Sequence, residues 1–211
     1  MKTSWFITFE GGEGAGKSTQ IAALAARLRD AGMEIVTTRE PGGSPDADAL
    51  RELLVTGEPG RWSPAGEALL NYAARESHLN HTIRPALMAG CSVLCDRFAD
   101  STRAYQGIAG GLGLDLVEQL DRTIVGDTQP DITLVFDLDP EVGLERARQR
   151  GGEDRFERKG LEFHRKLREA FRQIAAEHAN RCYLVDASAS VNDVSEQIWK
   201  AVSSRLALST P

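Results

Sequence analysis

Gly11-Gly12-Glu13-Gly14-Ala15-Gly16-Lys17-Ser18 decides how this chain is read. The stretch fits G-x-x-x-x-G-K-[ST] in full, and its flanks supply the context that pattern needs. Before it, Trp5-Phe6-Ile7-Thr8-Phe9 is a short apolar run that reads as a strand. After it, residues 17–31 place Ile21, Leu24, Ala25 and Leu28 at helical spacing, and Gly32 is a stop. Glycines let such a loop wrap closely around an anion without Cβ clashes. The backbone N–H groups of residues 11–16 and the following helix N-terminus then face phosphates. Lys17 reaches the β- and γ-phosphates, and the Ser18 hydroxyl has the chemistry to ligate Mg²⁺. The motif specifies a triphosphate site, not a reaction.

Outward from this loop the pattern alternates strand and helix. Residues 34–38 read as a second strand, and 46–56 and 65–89 as helices, the latter opened by Pro64 and stopped by Gly90. Residues 92–96 form a third strand and 114–126 a helix. A buried strand over 132–137 follows, then a helix over 141–150 opened by Pro140. A helix over 161–179, a strand over 182–186 and a helix over 191–207 close the chain. Alternation of this kind predicts an α/β fold: a five-stranded parallel sheet flanked by helices on both faces, three layers in all. Ligands then bind at the carboxyl ends of the strands.

The 211 residues predict a single domain, 1–211. A net charge of −6 argues against a nucleic-acid coat, and no uncharged apolar run approaches a membrane span. The N-terminus carries no signal-peptide or transit character. Cys91, Cys95 and Cys182 lack metal spacing and fit buried thiols in a reducing cytoplasm. His78, His81, His164 and His178 share no ligand spacing with any cysteine and read as structural or solvent-facing.

Two further features narrow the class. The third strand ends in Asp96-Arg97. An aspartate there suits the Mg²⁺-side carboxylate of phosphate-loop folds, and an arginine beside it points to a second anion. Residues 146–159 hold six basic side chains in fourteen, with Gly151-Gly152 as a hinge. Arginines over a triphosphate supply charge to a loose phosphoryl-transfer transition state and exclude water. The absence of Asn-Lys-x-Asp weakens a GTP switch, and the absence of Leu-Ser-Gly-Gly-Gln weakens a transporter ATPase. A nucleotide-dependent binding module needs neither a second anion site nor such a lid.

These residues resemble the bacterial thymidylate kinase (dTMP kinase) family. The matching stretches are residues 9–19 (Phe-Glu-Gly-Gly-Glu-Gly-Ala-Gly-Lys-Ser-Thr), 38–43 (Thr-Arg-Glu-Pro-Gly-Gly), 72–75 (Tyr-Ala-Ala-Arg), 96–107, 130–138 and 154–156 (Asp-Arg-Phe). The phosphate loop is shared by many enzymes; 38–43 taken together with 96–107 is much more specific. The resemblance implies the P-loop nucleoside monophosphate kinase fold, transfer from Mg²⁺·ATP to dTMP in dTTP synthesis, a cytoplasmic enzyme, and a homodimer. The rival on the same fold is a kinase of another nucleoside monophosphate.

The resemblance also implies roles. Glu13 accepts from the deoxyribose 3′-OH, which suits an acid beside phosphates. Arg39 and Arg97 hold the dTMP phosphate. Arg75 contacts the thymine edge, Thr102 bonds the base, and Tyr105 packs on C2′. Ser101 and Gln106 line the same pocket. Ser18 and Asp96 take the metal. The loop carries no cation besides Lys17, whereas the lid, about 148–160, carries Arg148, Arg150, Arg155 and Arg158. That matches the subgroup whose lid arginine supplies transition-state charge, with Arg155 at the matching position and Arg150 on ATP. One departure stands out. Relatives usually stack thymine on an aromatic three or four residues before the ring-contacting arginine; here those positions hold Tyr72 and Asn71, so either Tyr72 stacks or it is a core residue and the face of the base is less well covered.

Overall fold

A computed structural model describes residues 4–151 and 155–207. Five parallel strands lie in the order β2-β3-β1-β4-β5: β1 (Phe6–Gly11), β2 (Ile35–Arg39), β3 (Ser92–Asp96), β4 (Ile132–Asp137) and β5 (Cys182–Asp186). β1 is fully buried at the centre between β3 and β4, which explains its unbroken apolar reading. The register aligns Phe9 with Asp96, Arg39 with Asp96, and Gly11 with Phe136. Three strand ends therefore deliver their polar residues to one edge of the sheet.

Successive residues of β1 face opposite layers, as the period-two pleat requires. Ile7 and Phe9 pack with Leu24 and Leu28 of α1 (Lys17–Asp30) and with Ile198 and Trp199 of α9 (Val191–Leu206). Phe6 packs on the other face with Tyr72 of α3 (Pro64–His78) and Val117 of α6 (Asp115–Ile124). Phe171 and Ile174 of α8 (Leu161–Glu177) extend that second layer over Val135 and Cys182. The remaining helices are α2 (Pro45–Val55), α4 (Arg84–Met88), α5 (Ala99–Thr102) and α7 (Pro140–Arg150).

The helix expected over 65–89 is instead α3, a π-helical turn over Leu79–Ile83, and α4. Pro85 offers no N–H and crowds the carbonyl one turn back, so the helix widens before it. Residues 97–113 carried no helical prediction, yet they form α5 and a second π-helical turn, Arg103–Ala109. Their inward side chains include Asp100, Arg103 and Gln106, all buried, so the segment lacks the apolar stripe that marks a helix in sequence. Among the described residues no helix is long and apolar enough to cross a membrane.

Candidate active site

A cleft of about 820 Å³ runs along the carboxyl edge of the sheet. Glu13, Gly14, Ala15, Gly16, Lys17 and Ser18 form its floor. Gly11 and Gly12 lie behind it and offer carbonyls: Lys17 Nζ donates to Gly12 O at 2.8 Å and Gly11 O at 3.2 Å. Burial and the nearby Arg97 charge lower the Lys17 ammonium to about 8. Gly14 sits at φ 63, and a Cβ there would meet the Gly143 carbonyl at 2.0 Å. A Cβ on Gly143 would in turn meet the Glu13 carbonyl at 2.4 Å, so the loop can seat on α7 only through this glycine pair.

The Ser18 hydroxyl donates to Asp96 Oδ2 at 3.2 Å, while Asp96 Oδ1 is buried without a hydrogen-bond partner among the described residues. A hydroxyl and a carboxylate with an orphaned oxygen, on the cleft wall, fit a hard divalent cation that keeps water and phosphate as its other ligands.

Arg97 follows directly and adopts φ 68, a left-handed conformation that costs a non-glycine residue about 1–2 kcal/mol. Its strained backbone turns the guanidinium onto the loop. It donates to Gly11 O at 2.8 Å, to Glu13 Oε1 at 2.9 Å and to Ser101 Oγ at 3.3 Å. Tyr105 also donates to Glu13 Oε1, at 2.5 Å. Burial opposes ionisation of Glu13, but Arg97, Lys17 and the Tyr105 hydroxyl outweigh it and bring the carboxyl down to about 2. Arg39 is exposed, lines the cleft at the β2 end, and makes only a 3.9 Å pair with Asp48. The structure thus brings Lys17, Glu13, Arg97, Arg39, Ser101 and Tyr105 together.

The ring pocket departs from expectation. Arg75 is buried, donates from Nε to Glu40 Oε2 at 2.7 Å and from Nη2 to Thr102 Oγ1 at 3.2 Å. Its Nη1 has no partner. Glu40 and Thr102 both line the cleft, so Arg75 stands directly behind its wall. Tyr72, the candidate stacking aromatic, does not line the cleft. Its ring is packed in the core, with the Arg75 guanidinium 4.5 Å from its centroid and its hydroxyl donating to Asp121 at 3.3 Å. The helical rotation between positions 71 and 72 is the reason: α3 turns Asn71 to the cleft and Tyr72 inward.

The basic segment also needs a correction. Arg150, with Arg146, lines the cleft, but Arg155 does not. The Arg155 guanidinium is 0% exposed and donates to Glu67 Oε1 at 2.7 Å, Leu54 O at 2.8 Å and Pro59 O at 3.2 Å. Its Nη2 is buried with no hydrogen-bond partner among the described residues, and the guanidinium lies off the cleft. Arg148 pairs with Glu145, and Arg158 with Glu58, both in solvent-facing positions. Gly152, the hinge partner of Gly151, lies outside the described residues, as do Glu153 and Asp154.

Several site-building residues escaped the sequence reading. Glu10 is buried and accepts from Phe98 N at 2.8 Å and Ser101 Oγ at 2.5 Å, which anchors the loop after β3. Burial and Asp100 raise its carboxyl above the usual range. His78 joins Thr38 (2.7 Å) to Glu40 (3.0 Å), and a Cβ on Gly43 would strike both His78 and Thr38. Glu67 gathers Arg155, Lys159 and Gln106. Ala187, Ala189 and Val191 also line the cleft, as do Arg146 and Arg150. Glu10, Thr38, Glu40 and Gln106 lie inside the quoted stretches 9–19, 38–43 and 96–107, but an isolated buried acid or small apolar residue carries no motif of its own.

The family model for thymidylate kinase matches residues 9–198. A thymidylate kinase of Caulobacter vibrioides is 54% identical over 208 residues, covering 99% of this chain and all of that protein. One from Rhodopseudomonas palustris is 53% identical, covering 95% and 89% of the two chains. The crystal structure of thymidylate kinase from Ehrlichia chaffeensis superposes with a TM-score of 0.78 at 33% identity, over 94% of this chain and 98% of that one.

Proposed function

The chain belongs to the thymidylate kinase family and phosphorylates dTMP to dTDP, and from that premise we propose how its own residues divide the work. Lys17 and the loop N–H groups hold the donor triphosphate of ATP. Ser18 and Asp96 would hold Mg²⁺, which would supply charge neutralisation on the phosphates when bound. Arg97 and Arg39 hold the acceptor phosphate, whose oxygen is already anionic at neutral pH, so the transfer needs no general base. Glu13 Oε2, which has no hydrogen-bond partner among the described residues, takes the 3′-OH, and Tyr105 sits against the sugar. Thr102, backed by the buried Arg75, forms the base-recognising wall, with Gln106 and Ser101 beside it. Arg150 and Arg146, rather than Arg155, bring transition-state charge from the last turns of α7, within the basic run 146–159 that marks the lid-arginine subgroup. Adenine lies between that segment and residues 187–191.

The observation that carries this reading is the shared Glu13. One ionised carboxylate joins Arg97 to the loop that holds Lys17, so donor and acceptor anion sites are spaced by a single side chain. Positioning of that kind, with charge stabilisation, supplies most of the rate in phosphoryl transfer. ADP release with dTMP, dUMP, UMP, CMP, AMP and GMP as acceptors tests it. Turnover should be highest with dTMP, and a preference for AMP or CMP would reject the assignment of the acceptor pocket.

The same reading includes a single domain over 1–211, a homodimer and a cytoplasmic location. Free thiols at Cys91, Cys95 and Cys182 support the last, and the exposed Leu69 and Met88 support a second copy packing beside α3 and α4. Light scattering that returns only monomer mass removes the dimer.

A further inference from the structure

Glu67 is 1% exposed and lies outside the cleft, yet it is bonded to three side chains from two other parts of the fold. Oε1 accepts from Arg155 at 2.7 Å, both oxygens accept from Lys159 at 3.0 and 3.1 Å, and Oε2 accepts from Gln106 at 2.8 Å. Arg155 extends the knot, since its own N–H donates to Val55 O at 3.0 Å and its guanidinium reaches the Leu54 and Pro59 carbonyls. One buried anion therefore ties together α3, the end of α2, the turn carrying Gln106, and residues 155–159.

What these partners touch is the cleft wall. The Arg155 guanidinium lies 4.6 Å from the Phe156 centroid and Lys159 Nζ lies 5.0 Å from it. The Tyr105 ring meets Phe156 edge-on at 5.7 Å. Phe156, Tyr105, Gln106, Val55 and Asn71 all line the cleft, and the Asn71 amide donates to the Glu67 carbonyl at 2.8 Å. A neutral side chain at 67 would leave two cations and an amide without the charge that draws them to one point.

We propose that Glu67 is a positioning residue for the acceptor. By holding Arg155 and Lys159 on one side and Gln106 on the other, it assembles the wall of Phe156, Tyr105, Gln106 and Asn71 against which the dTMP nucleoside is seated. This rests on the assignment of that half of the cleft to dTMP. Glu67 touches no substrate and acts only through its partners.

The test uses the full-length enzyme and two variants. Glu67→Gln leaves Arg155 buried without its anion and is prone to unfold, so Glu67→Gln/Arg155→Met accompanies it and removes both charges while keeping an acceptor for Gln106. Steady-state kinetics give KM for dTMP and for ATP separately, and thermal melting monitors folding. The expected result is a double variant that melts cooperatively near the parent, with KM for dTMP raised about tenfold and KM for ATP within about twofold. Unchanged KM for both nucleotides in the folded double variant would overturn the proposal. So would a parallel rise in both KM values with a lowered melting temperature, because a merely structural pair moves the two substrates together. Failure of the parent enzyme to use dTMP would instead sink the assignment of the pocket.

Discussion

Lys17 and Arg97 carry the chemistry most directly, and each makes a separable prediction. In the ligand-free protein the Lys17 ammonium is lowered to about 8 by burial and by Arg97. A bound triphosphate supplies opposing charge and restores its affinity for a proton. Nucleotide binding at pH 8.5 should therefore take up protons, and binding at pH 6.5, where Lys17 is already charged, should take up almost none from this group. Calorimetry in buffers of different ionisation enthalpy reads the difference; equal uptake at both values would mean that the lysine stays fully charged in the free enzyme. Arg97 is held in a left-handed backbone conformation with its guanidinium between Gly11 O and Glu13. Arg97→Ala should raise KM for dTMP about tenfold or more and lower kcat, with KM for ATP moving less, because the lost group both binds and aligns the acceptor phosphate. Loss of ATP affinity with dTMP affinity kept would assign the arginine to the other nucleotide.

Among the elements, the basic run 146–159, which begins in α7 and continues past it, splits into two functions. Arg146 and Arg150 leave the last turns of α7 facing the cleft, whereas Arg155 is drawn under α3 by Glu67. Arg150→Ala should reduce kcat by roughly 10²-fold, the scale of a single transition-state donor, with melting unchanged. Arg155→Ala should do the converse at the level of the fold: breaking a buried pair costs about 3–5 kcal/mol, toward the lower end here because Lys159 still compensates Glu67. Kinetics and melting on the two variants separate the roles. A large kcat loss with unchanged melting in Arg155→Ala would return the transition-state role to that residue. The split was not visible in sequence because both arginines sit in one basic run. Whether a cation faces phosphate or carboxylate depends on Glu67, which is far away in the chain.

Across the described residues, the proposed single domain rests on one central sheet shared by both helical layers. β1 contributes Phe6 to one layer and Ile7 and Phe9 to the other, and α8 packs onto the same sheet that α1 and α9 cover from behind. Thermal unfolding of residues 1–211 should accordingly be one cooperative transition with equal calorimetric and van't Hoff enthalpies. A separate early transition would mean that part of the second layer folds as its own unit.

The sequence by itself determined the parallel sheet, the phosphate loop and the placement of Asp96 and Arg97 at a strand end. Those properties are written in local periodicity and in contiguous residues whose spacing alone fixes their geometry. Resemblance in residues 38–43 and 96–107 added the acceptor. Tertiary structure alone decided which way the side chains of α3 and of the basic segment point. Tyr72 turns into the core against Asp121, Asn71 to the cleft, and Arg155 onto Glu67. It also recruited Glu10, Glu40, His78 and Glu67, buried polar residues that no pattern announces. The physical reason is the same in each case. A buried polar group must find its hydrogen-bond partner, and the partners of Glu10, Glu40 and Glu67 lie 35 to 92 residues away, within reach only once the chain has packed.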